Sequence, residues 1–292
     1  MKRTDSGVSA GRALVGASVC ALLAFTMTIL TGCPPDTQFL ERQVVVGGRT
    51  YRYRVLLPPH YTKLRKWPVI LFLHGSGERG DDNVRQLTVG LPPLLARHPR
   101  RYPAIVVAPQ CRPDHEWYGE MEAQALAALD ASIREFRGDP NRVILTGNSM
   151  GGAGVWYFAR NPQRWAAIVP VCGEVVRKVD DPWPLDPPAD IADLLHSTDP
   201  FAALARRIGE VPVWAFHGAE DPVISADQSR MMIGALKAAG SDALYTEYSG
   251  VGHDSWDRAY DDPTLPKWML KQTRRAVTGV RRGGPTPGDP QK

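Results

Sequence analysis

Eight short apolar runs punctuate this chain, at 44–46, 51–57, 69–73, 104–108, 143–145, 167–171, 211–216 and 244–248, and several of them are continuous where a half-buried strand would alternate. Strands buried on both faces have this pattern, because helices cover a parallel sheet above and below. Between the runs, apolar residues recur three or four positions apart over 122–136, 151–160 and 226–239, which predicts helices there. Strands and helices in turn predict an α/β fold, a mostly parallel, doubly wound sheet of eight strands. Only the turn signal Gly47-Gly48 separates the first two runs, so they are expected to form an antiparallel hairpin at one edge of the sheet.

With 292 residues, 43% hydrophobic and 23% charged, the chain has a globular composition and enough apolar material for one large domain, expected over 43–278. Half of the formal charge of +4 lies at the amino terminus, where Lys2, Arg3 and Arg12 face only Asp5. The remainder is near balance and has no Lys/Arg stripe to neutralise phosphates, so a nucleic-acid partner is not expected.

The first 32 residues are expected to be an export address. Three bases precede an uncharged, mostly apolar run over 13–30, and Leu30-Thr31-Gly32-Cys33 closes it. That tetrapeptide resembles the lipobox of bacterial lipoproteins, which implies lipidation of Cys33. The alternative is an uncleaved membrane anchor, since 18 residues just reach spanning length. Either way the globular part would be tethered to a membrane outside the cytoplasm, in the cell envelope, with 33–42 as a polar tether. The Gly/Pro-rich residues 279–292 are expected to be disordered. Cys111 and Cys172 are the remaining thiols of the mature domain, and sequence leaves open whether they pair. No CxxC or HExxH spacing occurs, and neither a metal site nor a cofactor is expected.

The most specific motif is Gly147-Asn148-Ser149-Met150-Gly151, set between a buried run and a helical pattern. G-x-S-x-G in a strand–turn–helix setting holds a serine in a sharp turn whose flanks admit only residues without Cβ. A structural glycine turn or a phosphate cradle is the plainer reading of the same residues. Serine chemistry needs a base and an acid, in the order Ser, Asp or Glu, His. His253, in Gly250-Val251-Gly252-His253-Asp254, lies on a Gly-flanked loop past the last run and is the expected base. His217 is expected to be structural. Asp221, just past the run 211–216, is the expected acid, with Glu220, Asp254 and Asp257 as rivals. Acyl transfer also needs two N–H donors for the developing oxyanion. The Met150 amide is one, and the loop His74-Gly75-Ser76-Gly77-Glu78-Arg79-Gly80 supplies the other, expected from Ser76 with Gly77 as the alternative. Arg79, Asp81 and Asp82 are expected to tie that loop by ion pairs. Trp117 is expected at a substrate pocket wall; Tyr118, Trp183 and Trp256 are weaker candidates.

These motifs, with Ala108-Pro109-Gln110-Cys111 and Gly252-His253-Asp254-Ser255-Trp256, resemble the single-domain α/β-hydrolases over roughly residues 46–275. More narrowly, the chain is similar to bacterial carboxylesterases and predicted peptidases related to dienelactone hydrolases, feruloyl-type esterases and the catalytic domain of prolyl oligopeptidases. The resemblance implies a cofactor-free serine hydrolase with nucleophile Ser149, acid Asp221 and base His253. A longer connection between Cys172 and Val211 departs from the pattern and is expected to cap the site. No amino-terminal module of the kind that restricts entry in prolyl oligopeptidases is apparent, and an ester leaving group needs less protonation than an amine. Small or carbohydrate-linked carboxylic esters are therefore the expected substrates. A prolyl-oligopeptidase-like peptidase, and a ligand-binding surface lipoprotein without turnover, are the alternatives.

Overall fold

The computed structural model describes residues 39–176 and 187–274. The expected signal with Cys33, most of the expected tether, Trp183 and the expected disordered tail lie outside them. Eight strands form one sheet: β1 (Leu40–Val46), β2 (Arg49–Leu56), β3 (Trp67–Leu73), β4 (Ile105–Pro109), β5 (Gly138–Asn148), β6 (Ala167–Val171), β7 (Trp214–Gly218) and β8 (Leu244–Tyr248). Their order is β1-β2-β4-β3-β5-β6-β7-β8. The hairpin β1–β2 is antiparallel and sits at the edge, β2 joins β4 antiparallel, and every later pairing is parallel. This is the mostly parallel sheet with an antiparallel edge pair that the apolar runs imply.

Burial on both faces follows from the period of two along each strand. Val69, Leu71 and Leu73 of β3 join one core cluster, while Ile70 and Phe72 join the other. The first cluster receives Met121, Ala125 and Leu129 of α2 (Glu120–Glu135), Val155 and Trp156 of α3 (Met150–Phe158), Leu204 of α5 (Pro200–Ile208) and Leu236 of α6 (Asp227–Ala238). The second is closed by α1 (Leu91–Arg97), α7 (Trp256–Asp261) and α8 (Leu265–Lys271), through residues such as Leu95, Tyr260 and Met269. The remaining helix, α4 (Ala189–Leu195), packs Ile191 against Ala153 and Tyr157 of α3.

Several expectations are corrected. Residues 40–42, taken as tether, are the start of β1, where Arg42 forks onto Glu135 at 2.7–3.0 Å. Strand β5 begins five residues before the apolar run, because Gly138, Asp139 and Pro140 carry turn chemistry in sequence yet pair in the sheet from Gly138 against Trp67. Five helices were not expected. They are six to nine residues long, too short to display a 3.6 period, and α1, α5 and α8 open on Pro in the first turn. The connection after β6 contains α4 and α5, but its centre lies outside the described residues.

Parallel register brings the carboxyl ends of the central strands to one edge. Leu73 pairs with Gly147, Asn148 with Val171, Val171 with Phe216 and Gly218 with Tyr248. The loops that follow β3, β5, β7 and β8 therefore leave the sheet together.

Candidate active site

Ser149 is the first residue after β5 and the N-cap of α3, at φ 55° and ψ −121°. A non-glycine residue at positive φ costs about 1–3 kcal/mol and persists only where its surroundings hold it. Here the Ser149 amide donates to Val171 O at 3.0 Å, and its carbonyl accepts from the Ala153 amide at 3.0 Å. The turn also needs small neighbours. A Cβ on Gly151 would stand 2.0 Å from Leu73 O, and one on Gly147 would stand 2.6 Å from both Leu73 O and Gly151 O.

His253 reaches the serine from the loop after β8. Its Nε2 lies 2.8 Å from Ser149 Oγ, and its Nδ1 lies 2.7 Å from Asp221 Oδ2. A carboxylate only accepts, so Nδ1 carries the proton and Nε2 accepts from the serine hydroxyl. Asp221 sits in the loop after β7 with its side chain closed to solvent, whereas the His253 side chain is 19% exposed. Rivals Glu220, Asp254 and Asp257 are exposed. The loops bearing Asp221 and His253 touch through backbone: the Glu220 amide donates to Val251 O at 3.0 Å, and a Cβ on Gly218 would fall 2.1 Å from Gly252 O.

Burial alone would raise the Asp221 carboxyl. Hydrogen bonds from His217, His253 and the Ile224 and Val223 amides outweigh burial and hold it well below the usual carboxylate range. The carboxylate is thus a fixed negative charge facing the imidazole.

The loop after β3 lies beside the serine, since a Cβ on Gly75 would be 3.6 Å from Ser149 Cβ. Among the described residues neither the Ser76 nor the Met150 amide makes a hydrogen bond, so both are available as donors. The expected ion-pair tie is drawn in part differently from the sequence reading. Arg79 pairs with buried Glu116 across the β4–α2 connection, while Asp82 ties the loop as expected, pairing with Arg85 at 3.2 Å and binding the Val84 and Arg85 amides at 2.8 and 3.0 Å. Gln110, read in the sequence only as part of the motif Ala108-Pro109-Gln110-Cys111, joins the two loops: its Nε2 donates to Glu78 O at 3.1 Å and its Oε1 accepts from the Asn83 amide at 2.6 Å. His74 is fully buried, donates from Nδ1 to Gly75 O at 2.6 Å and accepts from the Cys111 amide at Nε2.

Trp117 does not line an open pocket. It is 1% exposed, donates to His74 O at 3.0 Å and packs edge-on against the His74 ring, so it supports the loop from below. Its sequence neighbours Glu116 and Tyr118 give no way to separate a wall from a prop. Trp256 instead stands edge-on to His253 with ring centroids 5.4 Å apart.

Cys111 and Cys172 are both buried and free. The Cys172 sulfur, an Asp221 oxygen and a His253 nitrogen lie within 4.8 Å of one another, a spacing a metal could bridge. The donor chemistry argues for a proton in that place: Asp221 and His253 are already hydrogen bonded, and burial pushes the Cys172 thiol up to about 12.

Residues 114–262 match the dienelactone hydrolase family. A thermostable esterase of known structure is 29% identical, with a TM-score of 0.65, over 81% of this chain and 63% of that one. A protein of Arthroderma benhamiae described as an uncharacterized secreted protein is 26% identical over 265 residues, 81% of this chain and 27% of its own length. Acyl-protein thioesterase 1 of Gibberella zeae is 32% identical over 71 residues, 24% of this chain and 27% of its own. The alignments thus span about a quarter of each of these two curated relatives. With an eight-stranded, mostly parallel sheet and a family match over half its length, the chain belongs to the dienelactone hydrolase family and has the α/β-hydrolase fold.

Proposed function

We propose that this protein is a serine esterase in which Ser149 is the nucleophile, His253 the general base and Asp221 the acid that orients it. One observation carries the reading: the continuous line Ser149 Oγ to His253 Nε2 at 2.8 Å and His253 Nδ1 to Asp221 Oδ2 at 2.7 Å. As Ser149 Oγ attacks an ester carbonyl carbon, its proton passes to Nε2, and the Asp221 charge stabilises the imidazolium. Negative charge moves to the carbonyl oxygen, where the Met150 and Ser76 amides receive it. Collapse expels the alcohol, which takes the proton from Nε2 and leaves an acyl-serine. Water attacks that ester by the same path, returning the acid and free serine.

Carboxylic esters of small or carbohydrate-linked alcohols are the proposed substrates. The similar esterase at 29% identity supports ester chemistry, and so does the lower demand of an alkoxide leaving group for protonation. The test is release of p-nitrophenol from acetate and butyrate esters by the full chain in detergent, beside Ser149→Ala. Turnover should fall roughly a thousandfold or more in the variant. Equal turnover by both proteins would refute the assignment of Ser149, and hydrolysis of peptides with no ester turnover would replace the esterase by a peptidase.

A further inference from the structure

We infer that His217 is a positioning residue for the reaction, a second imidazole set against the same oxygen of the acid Asp221 that His253 uses; this rests on the proposed roles of Ser149, Asp221 and His253. His217 ends β7 one residue before Gly218 and is fully buried. Its Nε2 lies 3.0 Å from Ile224 O and 3.2 Å from Asp221 Oδ2, and neither oxygen can donate, so Nε2 carries a proton shared between them. Its Nδ1 meets the Ser229 hydroxyl of α6 at 2.8 Å, which fixes the ring plane. Both side chains, His217 and Asp221, are closed to solvent, so no water substitutes for this contact.

The carboxylate is therefore gripped at both oxygens. Oδ1 accepts from the Val223 and Ile224 amides at 2.8 and 2.9 Å, and Oδ2 accepts from both imidazoles. An imidazole that served only to close the turn would need Ile224 O and Ser229 alone; this one also touches the oxygen that His253 uses. Two consequences follow. Oδ2 cannot swing away from His253 Nδ1, and its electron density is shared, which weakens its hold on the imidazolium that forms during attack. His217 thus trades strength of the acid–base pair for its alignment. Other charged or titratable groups near this cluster are Glu247 on β8, paired with Arg230 of α6 at 2.6 Å, and, around the acid, the Cys172 thiol after β6 and Asp254.

The test uses the full chain in detergent, with active sites counted by fluorophosphonate labelling so that misfolded protein is not scored. Wild type, His217→Leu, His217→Gln, Ser229→Ala and Asp221→Asn are compared by kcat and KM for p-nitrophenyl butyrate from about pH 5 to about pH 9. His217→Leu removes the donor and should lower kcat per labelled site roughly tenfold with little change in KM. It should also move the acid limb of kcat/KM to higher pH, because Oδ2 then holds protonated His253 more strongly. His217→Gln restores a donor at the same reach and should return the limb to its wild-type position. Should the Leu variant yield no labelled sites, Ser229→Ala, which frees the ring, decides: its limb should move the same way with about a threefold loss. Wild-type limbs and per-site kcat in the folded His217 and Ser229 variants would overturn the inference while Asp221→Asn is inactive. Full activity of Asp221→Asn would instead sink the acid assignment itself.

Discussion

Burial that opposes the charged form makes His74 the residue where pH should act on stability most plainly. Burial lowers its pKa to about 4, against about 6.5 in an unfolded chain. The unfolded state therefore binds the extra proton first as pH falls. Stability is complete above about 6.5, declines between about 6.5 and about 4, and levels off below, a loss of at most about 3 kcal/mol. Urea unfolding at both ends of that window should show His74→Gln losing less stability on acidification than wild type, and equal losses would contradict this account. His74 was legible in sequence only as the head of a glycine-rich motif. That motif does not reveal that the ring bridges Gly75 and the Cys111 amide beneath the loop after β3. The three residues of the proposed acid–base line were legible because each follows a strand and the chain order limits the choices. His217 shows what was missing: in sequence it reads as the end of a strand, and its contact with Asp221 exists only once the loop 219–222 folds back.

Between elements, Arg160 at the end of α3 shows how the helix carrying the serine is fixed. Its guanidinium bonds Glu122 of α2 at 2.8–3.0 Å and Asp190 of α4 at 2.5 Å. The Arg160 and Glu122 side chains are 8% and 10% exposed, so that pair is the one removed from water; Asp190 is 51% exposed and adds less. Arg160→Ala leaves a carboxylate buried without its partner and should cost about 3–5 kcal/mol in chemical denaturation. A loss under about 1 kcal/mol would show Glu122 finding water instead. None of this was readable from the sequence, because partners 38 and 30 residues away have no local signature. Long helices such as α2 were legible from their period, while α1 and α8, with prolines in their first turns, resemble loops until the sheet gives them a face to cover.

Across the whole molecule, the sheet edge explains why residues far apart in sequence converge: parallel register gathers the ends of β3, β5, β7 and β8, and the site follows. This level was the most legible, since continuous apolar runs separated by helical periods admit few other arrangements. Among the described residues no helix is long and apolar enough to cross a membrane. We propose that lipid on Cys33, outside the described residues, attaches the protein to a membrane and that it acts outside the cytoplasm, on the strength of the lipobox-like Leu30-Thr31-Gly32-Cys33. Cells fed a labelled fatty acid should incorporate it into the chain and lose it in Cys33→Ala, with the protein shifting from membranes to the soluble fraction. Labelling that survives the substitution would contradict the proposal. The central claim concerns Ser149, and the most direct measurement is to map the site of fluorophosphonate attachment on the intact chain by peptide mass spectrometry while following ester hydrolysis. The account predicts one adduct, on the peptide bearing Ser149, rising in step with loss of activity. An adduct elsewhere, or full activity after Ser149 is occupied, would contradict it.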